Sequence, residues 1–200
     1  MRPLIAIVVA YLVGGIPFGY LLVRWKTGED VRDKGSGNIG ATNVLRTTGR
    51  AVAVATLLLD IAKGVLAVWI ADKLSGGSPL WMSVAALAVM AGHAFPVFLR
   101  FQGGKAVASF IGAFLYLTPV PMIAALLVFV IVVAATRQIS MGSIVAAGSL
   151  PFATWLIEHP PGIVILAALV AAVFVIYRHR ANIERIRSGT ESVFRFGNPR

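Results

Sequence analysis

The chain has 200 residues, 58% of them hydrophobic and only 13% charged, with a mean hydropathy of +0.85. Soluble domains carry about 25% charged residues, so a water-soluble globular fold is excluded and an all-α integral membrane protein is expected. With no cysteine, disulfides and thiolate chemistry are excluded too, and the net charge of +10 has to be read against topology before nucleic acid is considered.

Apolar runs that approach the roughly 20 residues of a spanning helix fall at 3–25, 51–71, 79–99, 105–120, 121–136, 139–157 and 161–177. They predict a polytopic protein of about seven transmembrane helices. The runs at 105 and 121 are short, and Thr118-Pro119-Val120-Pro121 makes their junction a tight turn. Five or six full spans plus a re-entrant pair is the alternative. The first run is too long for a signal peptide and has no small-residue cleavage pattern before Arg24, so it is expected to be one retained helix.

Alternating the loops puts Arg24, Lys26, Arg32, Lys34, Arg46, Arg50, Arg100, Lys105 and Arg137 on one side. Arg178, Arg180, Arg185, Arg187, Arg195 and Arg200 join them, making 15 of the 18 basic residues. The positive-inside rule makes this side cytoplasmic, with the N-terminus outside and the C-terminus inside. Trp25, Trp69, Trp81 and Trp155 fall near predicted span ends, as interfacial aromatics do. Topology therefore accounts for most of the basic charge, and no nucleic-acid partner is expected. With no linker or internal repeat, residues 1–200 read as a single membrane domain. Its three polar interruptions (26–50, 93–105 and 177–200) all fall on the cytoplasmic side, where the active site is expected.

The first interruption contains Gly35-Ser36-Gly37-Asn38-Ile39-Gly40, which formally satisfies G-x-G-x-x-G, with Asp60 20 residues beyond. A dinucleotide site would need a preceding strand and a βαβ unit, and here Asp60 sits inside an apolar run. What remains is local: Gly35, Gly37 and Gly40 let successive N–H groups converge on an anion. Ser36, Asn38, Thr42 and Asn43 add hydrogen-bonding groups, and Arg46 a planar fork matched to phosphate.

The second interruption reads Gly92-His93-Ala94-Phe95-Pro96, then Gly103-Gly104-Lys105. Gly103 and Gly104 are a candidate phosphate cradle with Lys105 as its cation. It is not a Walker A motif, because Ala106 stands where the magnesium-holding Ser or Thr would be. In the third interruption, His179 and Asn182 share a helical face at i, i+3. Asp60 and Lys63, also at i, i+3 but inside a span, are expected to pair with each other or to serve function. Ser143 lies near the cytoplasmic end of its span, where it is either a substrate contact or a small packing residue. No compact carboxylate or histidine cluster argues for a metal, and no cofactor is expected.

Together the segments GSGNIGATNVLRTTG, Leu59-Asp60 with Lys63-Gly64, GHAFPVFLRFQGGKAVA and YRHRANIERIRSGTE resemble the bacterial acyl-phosphate:glycerol-3-phosphate acyltransferase family over nearly the whole chain. The family often has Gly-Gly-Lys-Gly where this chain has Ala106 after Lys105. The resemblance implies transfer of a fatty acyl group from acyl phosphate to the 1-hydroxyl of glycerol 3-phosphate. Lysophosphatidate and phosphate would be the products, formed in a bacterial inner membrane as the first step of phospholipid synthesis. It implies catalytic roles for Ser36, Arg46, Lys105, His179 and Asn182. Substrate contacts would come from Gly35, Gly37, Asn38, Gly40, Thr42, Asn43, Gly103, Gly104 and Ser143. Which loop holds which phosphate stays open, as does whether His179 or the leaving phosphate takes the proton. A transporter of an organic phosphate is the alternative from another class, although its polar groups would be expected near the bilayer midplane.

Overall fold

The structure is a computed structural model that describes residues 1–193, so Arg195 and Arg200 lie outside the described residues. Among the described residues all regular structure is helical, as the composition requires of a chain that must satisfy its backbone inside lipid. The chain divides into two compact units, Met1–Leu117 and Thr118 onward.

The first unit contains α1 (Arg2–Gly14), α2 (Phe18–Thr27), α3 (Ala41–Thr47), α4 (Arg50–Ser75), α5 (Pro79–Ala94) and α6 (Val107–Leu117). The first apolar run is long enough to cross as a whole, Arg2–Thr27, but it is two helices rather than the expected one. Pro17 cannot donate to the preceding turn and its ring crowds that turn, so the helix stops at Gly14 and restarts at Phe18. The Ile16 carbonyl leaves helical register and accepts from the Phe18 N–H at 3.2 Å and from Lys63 Nζ at 2.9 Å. Lys63 Nζ in turn lies 2.7 Å from Asp60 Oδ1 and 5.7 Å from the centroid of the Phe18 ring. The intramembrane ion pair expected from sequence therefore forms, and it is tied to the helix break.

Glycine sets how closely these helices approach. A Cβ on Gly14 would strike the Val89 carbonyl, and one on Gly92 the Tyr11 carbonyl, so α1 and α5 meet backbone to backbone. Gly64 and Gly112 do the same for α4 and α6. Such small-residue contacts let helices pack in lipid, where no hydrophobic force drives them together.

The second unit packs α7 (Pro119–Thr136) on α8 (Ile139–Ile157) and α8 on α9 (Gly162–Arg178), and ends in α10 (Arg180–Arg187). Glu158 Oε1 accepts from the Val120 N–H at 3.1 Å, occupying one of the orphan donors at the start of α7. α10 is bent 59° from α9, with His179 as the residue between them.

Among the described residues five helical segments are long and apolar enough to cross a membrane, with α1 and α2 together counted as one, or six if the α9–α10 pair is also counted as one. α6, with 11 residues, is only about 16 Å long at 1.5 Å per residue, short of the roughly 30 Å hydrocarbon core.

Candidate active site

In the first unit, the residues between α2 and α4 form an ordered loop on a small apolar core of its own. Val31, Ile39 and Val44 are buried against Val23 of α2, Ala53 of α4 and Leu99, which lies in the stretch after α5. Asp30 starts the single turn Val31–Asp33 by accepting from the Arg32 N–H at 2.9 Å, and its carboxylate pairs with the Arg32 guanidinium at 2.6 Å. Hydrogen bonding from Arg32 holds the Asp30 carboxyl below the ordinary aspartate range, although partial burial opposes this.

Asn43 organises the loop. It is 1% exposed, its Oδ1 accepts from the Ser36 N–H at 2.8 Å, and its Nδ2 donates to the carbonyls of Val31, Lys34 and Asn38 at 2.9–3.0 Å. Sequence reasoning made Asn43 a substrate contact. The structure instead spends both ends of its amide on the loop's own backbone. Gly35 and Gly37 have positive φ, +60° and +68°, and a Cβ on Gly35 would collide with Asn43 Oδ1. Gly35 is therefore required both for its backbone conformation and for space. Asn38 closes a local turn by accepting from the Gly40 N–H at 2.9 Å. Ser36 and Arg46 stand at the exposed surface of this scaffold, with Thr42 half-buried. Asn43 and Arg46 occupy successive turns of α3, so the buried asparagine fixes the helix that carries the arginine.

The second loop begins where α5 ends. Arg100, Phe101 and Ala106 all have φ between +52° and +63°, unusual for residues with a Cβ, so three of these seven residues are held in left-handed backbone. Gly103 and Gly104 lie directly on α5: the Gly104 N–H donates to the His93 carbonyl at 3.1 Å. A Cβ on Gly103 would strike that same carbonyl, and one on Gly104 the imidazole of His93. Lys105 follows, half-buried.

In the second unit, His179 is 3% exposed, and its Nδ1 lies 2.8 Å from the Val175 carbonyl. A carbonyl only accepts, so Nδ1 carries a proton in this contact. Asn182, also buried, donates from Nδ2 to Glu191 Oε1 at 2.8 Å. The same oxygen accepts from Ser140 Oγ at 2.8 Å, and Glu191 Oε2 accepts from Arg185 Nε at 2.7 Å. Burial pushes the Glu191 carboxyl up, but the hydrogen bonds from Asn182, Ser140 and Arg185 outweigh it and hold the group below the ordinary glutamate value.

Glu191 was absent from the predicted site. Its one sequence signal was an acid in a basic tail, just after Gly189, while its partner Ser140 is 51 residues away. Ser143 donates to the Ile139 carbonyl of its own helix at 2.9 Å, the back-bond of a packing serine.

The family model described as glycerol-3-phosphate acyltransferase matches residues 4–189. The chain belongs to this family. A glycerol-3-phosphate acyltransferase of Geobacter sulfurreducens is 48% identical over 98% of this chain and 99% of its own. Two crystal structures of PlsY (YgiH), an integral membrane glycerol 3-phosphate acyltransferase, are also similar. The glycerol 3-phosphate form has a TM-score of 0.91 at 36% identity, and the lysophosphatidic acid form 0.88 at 35%. Each comparison covers 98% of this chain and 96% of the other.

Membership gives point to Ala106, where this acyltransferase departs from the Gly-Gly-Lys-Gly pattern. Ala106 is fully buried with φ +61°. Left-handed backbone costs a Cβ-bearing residue about 1–2 kcal/mol. Glycine would recover that while losing about 0.8 kcal/mol of methyl burial and about 0.4–1 kcal/mol to unfolded-chain entropy. The terms nearly cancel, so Ala106→Gly is expected to melt within about 2 °C of the parent in detergent and to stay active. Ala106→Val, β-branched in the same conformation, is expected to lose activity.

Proposed function

We propose that this chain transfers a fatty acyl group from acyl phosphate to the 1-hydroxyl of glycerol 3-phosphate. The observation carrying this reading is a family match over residues 4–189 joined to two hydrogen-bonded, glycine-rich loops in a membrane chain. The hydroxyl oxygen attacks the acyl carbon, the carbon–oxygen bond to phosphate breaks, and lysophosphatidate and inorganic phosphate leave. An acyl phosphate already has a good leaving group, so no protein nucleophile is needed, and positioning with charge stabilisation carries the catalysis. In this reading Arg46 and Lys105 neutralise phosphate, and the hydroxyls of Ser36 and Thr42 orient it; the N–H groups of Ser36, Gly37 and Gly40 are spent inside the loop, on Asn43 Oδ1, the Lys34 carbonyl and Asn38 Oδ1, so the expected converging N–H cradle is used to build the loop instead. Gly103 and Gly104 admit phosphate close to the backbone. Asn43 acts by holding its loop. His179 and Asn182 orient the accepting alcohol, and Ser143 contributes to packing within its own helix.

The alcohol proton passes to His179 Nε2 or to the leaving phosphate. Turnover lost in His179→Gln with substrate binding intact assigns it to His179, and retained turnover assigns it to the phosphate. Arg46→Ala is expected to lower kcat/KM by about 100-fold, as loss of a charge-stabilising donor does.

The topology belongs to the same proposal: one membrane domain with seven crossings, including the short α6, in a bacterial inner membrane. The N-terminus lies outside and the chemistry takes place at the cytoplasmic surface. Because the chain has no cysteine, Lys26→Cys and Gly77→Cys report sidedness directly. An impermeant thiol reagent outside the cell is expected to label only the second.

The activity test supplies purified protein with labelled glycerol 3-phosphate and, separately, acyl phosphate, acyl-CoA or acyl carrier protein. Lysophosphatidate from acyl phosphate alone is the expected result. No product from any donor, with phosphate flux in liposomes, would replace this reading with a transporter.

A further inference from the structure

Three ionisable groups are buried together in the first unit, and the chemistry above uses none of them. The side chains of Asp60 and Lys63 are 2% exposed and that of His93 4%. Ionisable groups at such depth are costly to bury. Pairing Lys63 with Asp60 and the Ile16 carbonyl accounts for Lys63, but not for why a histidine completes the cluster. His93 Nδ1 lies 3.6 Å from Asp60 Oδ1, the same oxygen that meets Lys63 Nζ. On its other side, the His93 ring occupies the space that a Cβ on Gly104 would need, and its carbonyl holds the Gly104 N–H. The imidazole thus lies between the Asp60 carboxylate on α4, at electrostatic rather than hydrogen-bond range, and the backbone of the second loop, one residue before Lys105.

We infer that Asp60 and His93 are positioning residues for the Gly103-Gly104-Lys105 loop: Asp60 orients the His93 ring, and the ring with its own carbonyl fixes the loop backbone that presents Lys105 to phosphate. The inference rests on the reading of this loop as a phosphate holder. The absence of side chains at Gly103 and Gly104 lets the loop lie directly against the histidine, whose ring and carbonyl fill the space that their Cβ atoms would need. A loop shifted by about 1 Å presents its cation badly, and misplacements of that size cost up to about 100-fold.

The test measures KM and kcat for glycerol 3-phosphate and for acyl phosphate, with Lys105→Ala as the reference. His93→Ala is expected to raise KM for the phosphate substrate that Lys105→Ala affects, by about tenfold or more, with a smaller change in kcat. His93→Asn, which keeps a polar group beside Asp60, is expected to recover part of that loss.

Two double variants separate Asp60's task from its pairing with Lys63. Asp60→Asn with Lys63→Met removes both charges but keeps a side-chain oxygen that can face His93. Asp60→Ala with Lys63→Met removes the oxygen too. A counter-ion role alone predicts equal KM in the two, whereas positioning predicts a higher KM in the alanine double.

If Lys105→Ala leaves both KM values unchanged, the loop reading falls and the inference with it. If Lys105→Ala raises a KM while His93→Ala and the alanine double do not, or while the two doubles match, the inference alone is overturned. Where His93→Ala yields too little folded protein, the comparison of the two doubles still decides.

Discussion

Asn43→Ala is expected to abolish acyl transfer and to open the first loop. The substitution removes the acceptor of the Ser36 N–H and the donor shared by the Val31, Lys34 and Asn38 carbonyls. Each polar group left unsatisfied costs about 1–3 kcal/mol, and some of them can regain water as the loop loosens. A net cost of about 4 kcal/mol is a reasonable sum, which lowers the ordered-loop population about a thousandfold at 1.4 kcal/mol per decade. Because the amide serves loop backbone rather than helix packing, the helices should survive. Hydrogen exchange across residues 31–43 is expected to rise sharply while α4 and α5 stay protected. Asn43→Asp is a sharper control: it keeps the shape and the acceptor for Ser36 but replaces the donor with a charge facing three carbonyl oxygens. It is expected to be as inactive as the alanine variant. Near-normal activity in either would mean that the loop does not depend on this amide.

The sequence revealed the kinds of groups at this site better than their duties. Glycines, hydroxyls, amides and an arginine within 35–46 announced an anion-holding loop, and hydropathy located the apolar spans because membrane burial is written into composition. The expected boundaries 139–157 coincide with α8. The loop-building bonds of Asn43 were not legible because nothing local distinguishes an amide facing a ligand from one facing three backbone carbonyls up to 12 residues away. The break at Pro17 was missed because the hydropathy around it is continuous; its consequence appears only through Lys63, 47 residues distant from the Ile16 carbonyl. In the second loop, sequence placed His93 inside a span without indicating that the loop returns to rest on it. Glu191 escaped for a related reason: a carboxylate with three separate donors gathers them from two helices, and no periodicity encodes that convergence.

Glu191→Ala is the counterpart experiment in the second unit, and its effect is expected to reach activity through Asn182. Removing the carboxylate leaves buried Ser140 Oγ and Asn182 Nδ2 without the acceptor they share, while the more exposed Arg185 can turn to water. Two buried donors at about 1–3 kcal/mol each give a loss of about 2–6 kcal/mol, a large part of the total stability of a typical domain. The folded fraction is also expected to be impaired, because the amide that orients substrate in our reading is no longer held. Glu191→Gln separates these effects. It keeps an oxygen for Ser140 and Asn182 but sets an amide N–H against Arg185, so it should melt between parent and alanine variant and retain more activity. The pH dependence has a defined sign. A carboxyl held below its ordinary value of 4.5 in the folded state contributes stability that is fully present above that value. The contribution is lost as pH falls through the lower folded-state value. The parent's melting temperature should therefore decline in acid with a component that Glu191→Gln lacks. Parallel acid profiles for the two proteins would show that the carboxylate's charge does not hold this cluster together.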